Sequence, residues 1–102
     1  MLKRVGRVMK ETQKIARVFK ALSVDTRVQI VQLLKGRNLC VNALASRLGI
    51  SAPAVSQHLR AMRDLDLVEA EKIGYFVHYR LNPKTLAKWQ EMAASLLADG
   101  KS

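Results

Sequence analysis

The sequence predicts a mainly α fold that carries one small β-hairpin, and three observations predict it. Apolar residues recur at steps of three and four through most of the chain, the spacing of helices that bury one side. Between residues 68 and 81 that period changes to two. Between two of the helical stretches stand Gly49, Ile50 and Ser51, a connection short enough for two helices set against each other as a helix-turn-helix.

In chain order, Val8, Thr12, Ile15, Phe19 and Leu22 place a first helix over about residues 8–22. After Ser23, Val24 and Asp25 the pattern restarts with Val28, Val31 and Leu34, joined by Ile30 and Leu33, and Gly36 is suited to end this second helix. Val41, Leu44, Ala45 and Leu48 form a third, with Gly49 just beyond it, where a left-handed cap carries little steric cost. Ser51 can cap a fourth, whose first turn tolerates Pro53 because early helical N–H groups have no internal partner. Its apolar stripe is Val55, Leu59 and Met62.

VEAEKIGYFVHYRL then alternates. Tyr75, Val77, Tyr79 and Leu81 fall on one face and Phe76, His78 and Arg80 on the other, with the hairpin tip expected near Lys72 to Gly74. Asn82 followed by Pro83 reads as an N-cap and a first helical position, opening a last helix to about residue 98. Its apolar residues Leu86, Trp89, Ala93 and Leu96 lie on a narrow seam, suited to a partner helix or to the helix's own domain.

At 102 residues, 49% of them hydrophobic, the chain has the size and apolar content of a single globular domain, residues 1–102. The formal net charge is +10, the footprint of a protein with an anionic partner. Residues 1–20 alone carry Lys3, Arg4, Arg7, Lys10, Lys14, Arg17 and Lys20 against Glu11. This run is a solvated helix face, a frayed arm or a set of phosphate contacts. No window is apolar for the ~20 residues of a membrane span, and no apolar secretory stretch follows the basic start, so a cytoplasmic location and no membrane are expected. A single cysteine, Cys40, excludes an intrachain disulfide.

Four helices, a hairpin and a closing helix make a winged helix-turn-helix, in which the second helix of the turn motif enters the DNA major groove and the hairpin lies along the backbone. The helix-turn-helix is expected at about residues 41–65 and the wing at about 67–81. A helix can enter a groove only if its outer face lacks large apolar groups. Ser51, Ala52 and Pro53 open this helix, and Ser56, Gln57, His58, Arg60 and Arg63 follow. Ser56 and Gln57 can bond base edges or phosphates, and Arg60 can pair with guanine or phosphate. Lys72 and Tyr75 complete the candidate contacts from the wing. Ser56, Gln57 and Arg60 are equally readable as ordinary solvated residues of a surface helix, and His58 as a packing or phosphate-contacting histidine.

The runs ALSVDTRVQIVQLL, LCVNALASRLGISAPAVSQHLRAMRDLDLV and GYFVHYRL resemble the ArsR/SmtB family of dimeric bacterial and archaeal repressors, over roughly residues 15–82. The resemblance implies a winged-helix homodimer built from the first and last helices, through residues such as Ile15, Phe19, Leu86, Trp89, Ala93 and Leu96. It also implies binding to double-stranded operator DNA and release by an effector. Many members sense metals. One site of the family sets two cysteines one residue apart at the start of the third helix, and here Cys40 matches the first while Asn42 stands at the second. A thiolate site needs several sulfur or imidazole ligands, so this one reads as broken. Another family site uses aspartate and histidine on the closing helix, where this chain has only Glu91 and Asp99. No metal or other cofactor is expected, and the effector is unidentified. Cys40, beside Leu39 and Val41, reads as a small buried hydrophobe or as a redox-reactive thiol.

There is no glycine-rich phosphate loop, nucleophile elbow, paired carboxylates or cysteine–histidine motif, so the chain is not expected to be an enzyme. The expected function is that of a sequence-specific transcriptional regulator of the repressor type. The alternatives are a metal- or redox-responsive repressor using Cys40, a basic architectural DNA-binding protein, and a protein-interaction module that leaves DNA alone.

Overall fold

The computed structural model describes the backbone of residues 2–100 and the side chains of residues 10–100. In chain order the elements are α1 (Leu2–Ala21), α2 (Asp25–Leu34), β1 (Leu39–Cys40), α3 (Val41–Leu48), α4 (Ala52–Asp64), β2 (Val68–Ile73), β3 (Phe76–Leu81) and α5 (Pro83–Leu97). The fold is the expected winged helix-turn-helix, with one strand more than the sequence announced. The side chains of Val8, Lys3, Arg4 and Arg7 lie outside the described residues.

The core sits where α2, α3, α4 and the base of the hairpin converge. Ile30, Leu34, Leu44, Val55, Leu59, Met62, Leu67 and Val68 are all buried there. The helix ends follow from particular residues. Gly49, at φ 68°, caps α3 and its N–H bonds Ala45 O at 2.9 Å. Ser51 Oγ accepts from the Ala54 N–H at 3.2 Å and so caps α4. Asn82 Oδ1 accepts from the N–H groups of Lys84 and Thr85 and caps α5.

The end of α4 was not legible in the same way. Asp66, not a glycine, takes the left-handed conformation at φ 59°. Its N–H bonds Arg63 O at 2.9 Å, and the Leu67 N–H reaches back to Met62 O at 2.9 Å. This pair of bonds is the Schellman arrangement, completed by the burial of both Met62 and Leu67. It turns the chain from the helix straight into β2.

The sheet is antiparallel in the order β1-β3-β2. β1 contributes only Leu39, opposite Tyr79, and Cys40, opposite His78. Two residues cannot display a period, so the sequence predicts a hairpin alone. Tyr79 and Leu81 pack against the core as expected of their face. The hairpin tip differs from expectation. Ile73 and Phe76 form the last cross-strand pair, leaving Gly74 and Tyr75 as a two-residue turn, with Lys72 inside β2 opposite Val77. Gly74 has φ 63° and Tyr75 has no positive φ, the pattern of a type II′ turn. Tyr75 is therefore outside the strand alternation in which the sequence reading placed it.

The first helix also differs in phase and length. It runs from Leu2 to Ala21, and among its described side chains Val18 and Ala21 are buried, with Thr12 and Phe19 exposed. The expected stripe follows the larger apolar side chains. The chain instead tucks Val18 and the small Ala21 inward, leaving Phe19 on the outside.

Candidate nucleic-acid interface

α4 is anchored from behind and open in front. Val55, Leu59 and Met62 are buried, while Pro53, Ser56, Gln57, Arg60, Arg63 and Asp64 are exposed. Residues three and four apart share a helix face, so Ser56, Gln57, Arg60, Arg63 and Asp64 form one polar surface with no large apolar group on it. Ala52 is half-buried at the helix start. Ser51 is exposed, and its hydroxyl oxygen is engaged in the cap.

His58 behaves differently from its neighbours on α4. It is half-buried, and its Nδ1 accepts from Arg27 Nε at 3.2 Å. The imidazole thus links α4 to the first turn of α2. Arg27 was missed in the sequence, because nothing local marks a side-chain contact spanning 31 residues.

Between α4 and the hairpin lies an open cleft of about 440 Å³, lined by Ser56, Arg60, Arg63, Asp64 and Tyr79. The helix face and the wing therefore border one concavity. Tyr79, read in the sequence only as a strand residue, joins the cleft from β3. On the hairpin, Arg80 Nε and Nη1 donate to Glu69 Oε2 and Glu71 Oε2, each at 3.0 Å. One guanidinium thus spans two carboxylates of the neighbouring strand and braces the ribbon. Lys72 is exposed on β2, and Tyr75 projects from the turn with 97% of its surface accessible.

The residues read as a dimer seam divide into two groups. Leu86 and Trp89 pack against the chain's own core, and Ile15 and Ala93 are half-buried. Phe19 and Leu96 are exposed at 40% and 52%, with Leu97 beside them at 74%. Leu86 and Trp89 thus serve the chain's own domain, and the exposed large apolar side chains of α5 lie at its far end.

Cys40 is half-buried at the N-cap of α3, and Asn42 is exposed on the first turn of that helix. An amide is a poor ligand for a soft ion, so Cys40 and Asn42 together offer one sulfur. Among the described residues, no three of the histidines, cysteine and acids are grouped so as to hold a metal ion. Among the same residues, no helix is long and apolar enough to cross a membrane.

A helix-turn-helix whose second helix shows a polar outer face, flanked by a hairpin wing, defines a DNA-binding regulator. The comparisons agree. Residues 25–70 match the model of the bacterial regulatory protein, arsR family. Over 69 residues the chain is 36% identical to the transcriptional repressor SdpR of Bacillus subtilis, covering 68% of this chain and 77% of that protein. Its fold is similar to an ArsR-like transcriptional regulator from Rhodococcus sp. RHA1, with TM-score 0.73, 33% identity and coverage of 83% and 80% of the two chains. It is also similar to the homodimeric winged helix-turn-helix DNA-binding domain of Mb0332 from Mycobacterium bovis, with TM-score 0.69, 29% identity and coverage of 91% and 83%. The chain belongs to the arsR family of bacterial regulatory proteins, which are transcriptional regulators and not enzymes.

Proposed function

We propose that the chain is a homodimeric, sequence-specific repressor that reads its operator through α4 and steadies the duplex with the wing. The observation that carries this reading is the two-sided character of α4, apolar and buried behind, polar and free in front. Residues 1–102 act as one domain, with the helix-turn-helix over about 41–65, the wing over about 67–81, and dimerisation through the first and last helices. Such a helix lies in the major groove with its N-terminal half toward base edges, which favours Gln57 for base contact and sets Arg60, one turn on, over base or phosphate. Mb0332, described as homodimeric, supports assembly in pairs. The regulator works without the family's two usual metal sites, since the ligand positions hold Asn42 in one and lack histidine in the other.

The test is a salt-dependent titration on the preferred operator, selected from random DNA, and on a random duplex. Gln57→Ala is expected to lose about 1–3 kcal/mol on the operator and little on random DNA. Lys72→Ala is expected to weaken both alike and to flatten the salt dependence by about one unit. Zinc, cadmium or arsenite at modest excess is expected to leave the operator complex intact. Equal specificity ratios for Gln57→Ala and the unaltered protein would displace α4 as the reading helix. Equal affinity on all duplexes would favour an architectural role, and metal-driven release lost in Cys40→Ser would restore a metal-sensing one.

A further inference from the structure

A second cleft lies between the end of α2, the base of the hairpin and the start of α5. Its volume is about 680 Å³, within the ~300–1,000 Å³ of small-molecule sites. Tyr79 lines the cleft beside α4, and Arg80, the next residue of β3, lines this one. Successive residues of a strand point to opposite faces, so the two clefts lie on opposite faces of the sheet and a duplex seated on α4 leaves the second one uncovered.

The floor of this cleft is apolar: Leu34 is buried, and Leu81 and Leu86 are half-buried against the core. Its rim is cationic, with Lys35, Arg37 and Lys84 all exposed around it. The one carboxylate in the lining, Glu69, is already bonded by Arg80 at 3.0 Å. Among the described residues, Lys35, Arg37 and Lys84 have no carboxylate partner. Arg37 Nε donates to Leu33 O at 2.8 Å, which steadies the guanidinium and leaves its two terminal nitrogens for another acceptor. Two N–H groups held side by side match the two oxygens of a carboxylate.

Resting, for its regulatory consequence, on the reading of the chain as an operator-binding repressor, we propose that this cleft binds a small organic acid. Its carboxylate lies on Arg37, Lys35 and Lys84, and its hydrocarbon body on Leu34, Leu81 and Leu86. The rim selects an anion and the floor selects an apolar body. The ligand joins the end of α2, which shares a core with α4, to the start of α5, whose far end carries the exposed Leu96 and Leu97. It also brings a negative charge to a chain whose attraction for DNA is its positive charge. Acid and operator therefore oppose each other, and each lowers the affinity for the other by the same factor.

The test begins without DNA, by calorimetric titration of the full chain with the straight-chain acids from butanoate to decanoate, their matched alcohols and inorganic phosphate. Affinity for the acids should rise about fourfold per methylene until the floor is covered. The alcohol matched to decanoate, and phosphate, should each bind roughly tenfold or more weakly than decanoate, as should decanoate itself to Arg37→Ala/Lys84→Ala. Both replaced residues are exposed, so the variant should keep its circular dichroism and melting midpoint. Saturating decanoate should then weaken operator binding about fivefold or more in the unaltered protein and leave it unchanged in the variant. No binding of any acid, or binding indifferent to chain length or to the double variant, would overturn the site whatever the operator titrations give. A flatter salt dependence of operator binding in the variant would make these cations phosphate contacts and overturn it as well. Acid binding that leaves operator affinity untouched would overturn the opposition between the two ligands. A chain that binds the acids but no selected duplex would keep the site and sink the repressor reading.

Discussion

Leu59→Ala is expected to destabilise the domain by about 2–5 kcal/mol, the range for truncating a leucine in a packed core. Leu59 is 1% exposed and stands directly behind the polar face of α4, among Ile30, Leu44, Val55 and Met62. Small domains have a total stability of about 5–15 kcal/mol, so the loss is a large fraction of the whole. In a domain of this size each 1 kcal/mol lowers the melting midpoint by about 4–8 °C, and the fall should therefore exceed 8 °C. Leu59→Met, which keeps volume, should cost under about 1.5 kcal/mol. Denaturant unfolding at one fixed protein concentration separates the two, since the stability of a dimer depends on concentration. A loss below about 1 kcal/mol for the alanine variant would mean that α4 is not anchored through this residue.

Leu96→Asp/Leu97→Asp is expected to produce monomers and to lower affinity for a two-half-site operator by about 10²–10⁴, the advantage that linkage gives to a second binding event. Half-sites one turn apart, ~34 Å, need two joined heads. Both leucines are exposed in the single chain, so charge placed there does not disturb the fold. Trp89, on the same seam, is a poorer probe because it packs against its own core and its replacement would confuse unfolding with dissociation. Light scattering and circular dichroism on the same samples distinguish these outcomes. A folded double variant that remains dimeric would move the interface away from the end of α5.

Much of this architecture was legible because its signals are local. Gly49 and Ser51 mark the turn between α3 and α4, and Val55, Leu59 and Met62 set the phase of α4 from neighbouring positions alone. Asn82 and Pro83 do the same for the start of α5. What escaped depends on partners distant in sequence or on an unusual residue. Nothing near Arg27 indicates that it meets His58, and an aspartate rather than a glycine occupies the left-handed position after α4. The phase of α1 escaped for a related reason. Val18 and Ala21 are buried by what lies against them, and a periodicity that counts large side chains favours Phe19. For the interface the same division holds, since the exposure of Gln57 and Arg60 follows from helix phase, whereas the bracing of Arg80 by two glutamates needs the register of the strands.

The two-residue strand β1 has a consequence for the order in which the molecule assembles. Its pairing joins Leu39 to Tyr79, so all of α3, α4 and β2 lie inside a loop that this short clip closes. Closing a loop has an entropic cost that grows with its length, and two residues of ladder return little until the helices within have already drawn the ends together. The clip is therefore expected to form late, after a nucleus made of the α3–α4 pair. In kinetic terms, a truncation at Leu39 should act mainly by speeding unfolding, and a truncation at Leu44 mainly by slowing folding. Stopped-flow measurements in both directions decide it, and a Leu39 variant that slows folding as much as it destabilises the protein would place the strand in the nucleus instead.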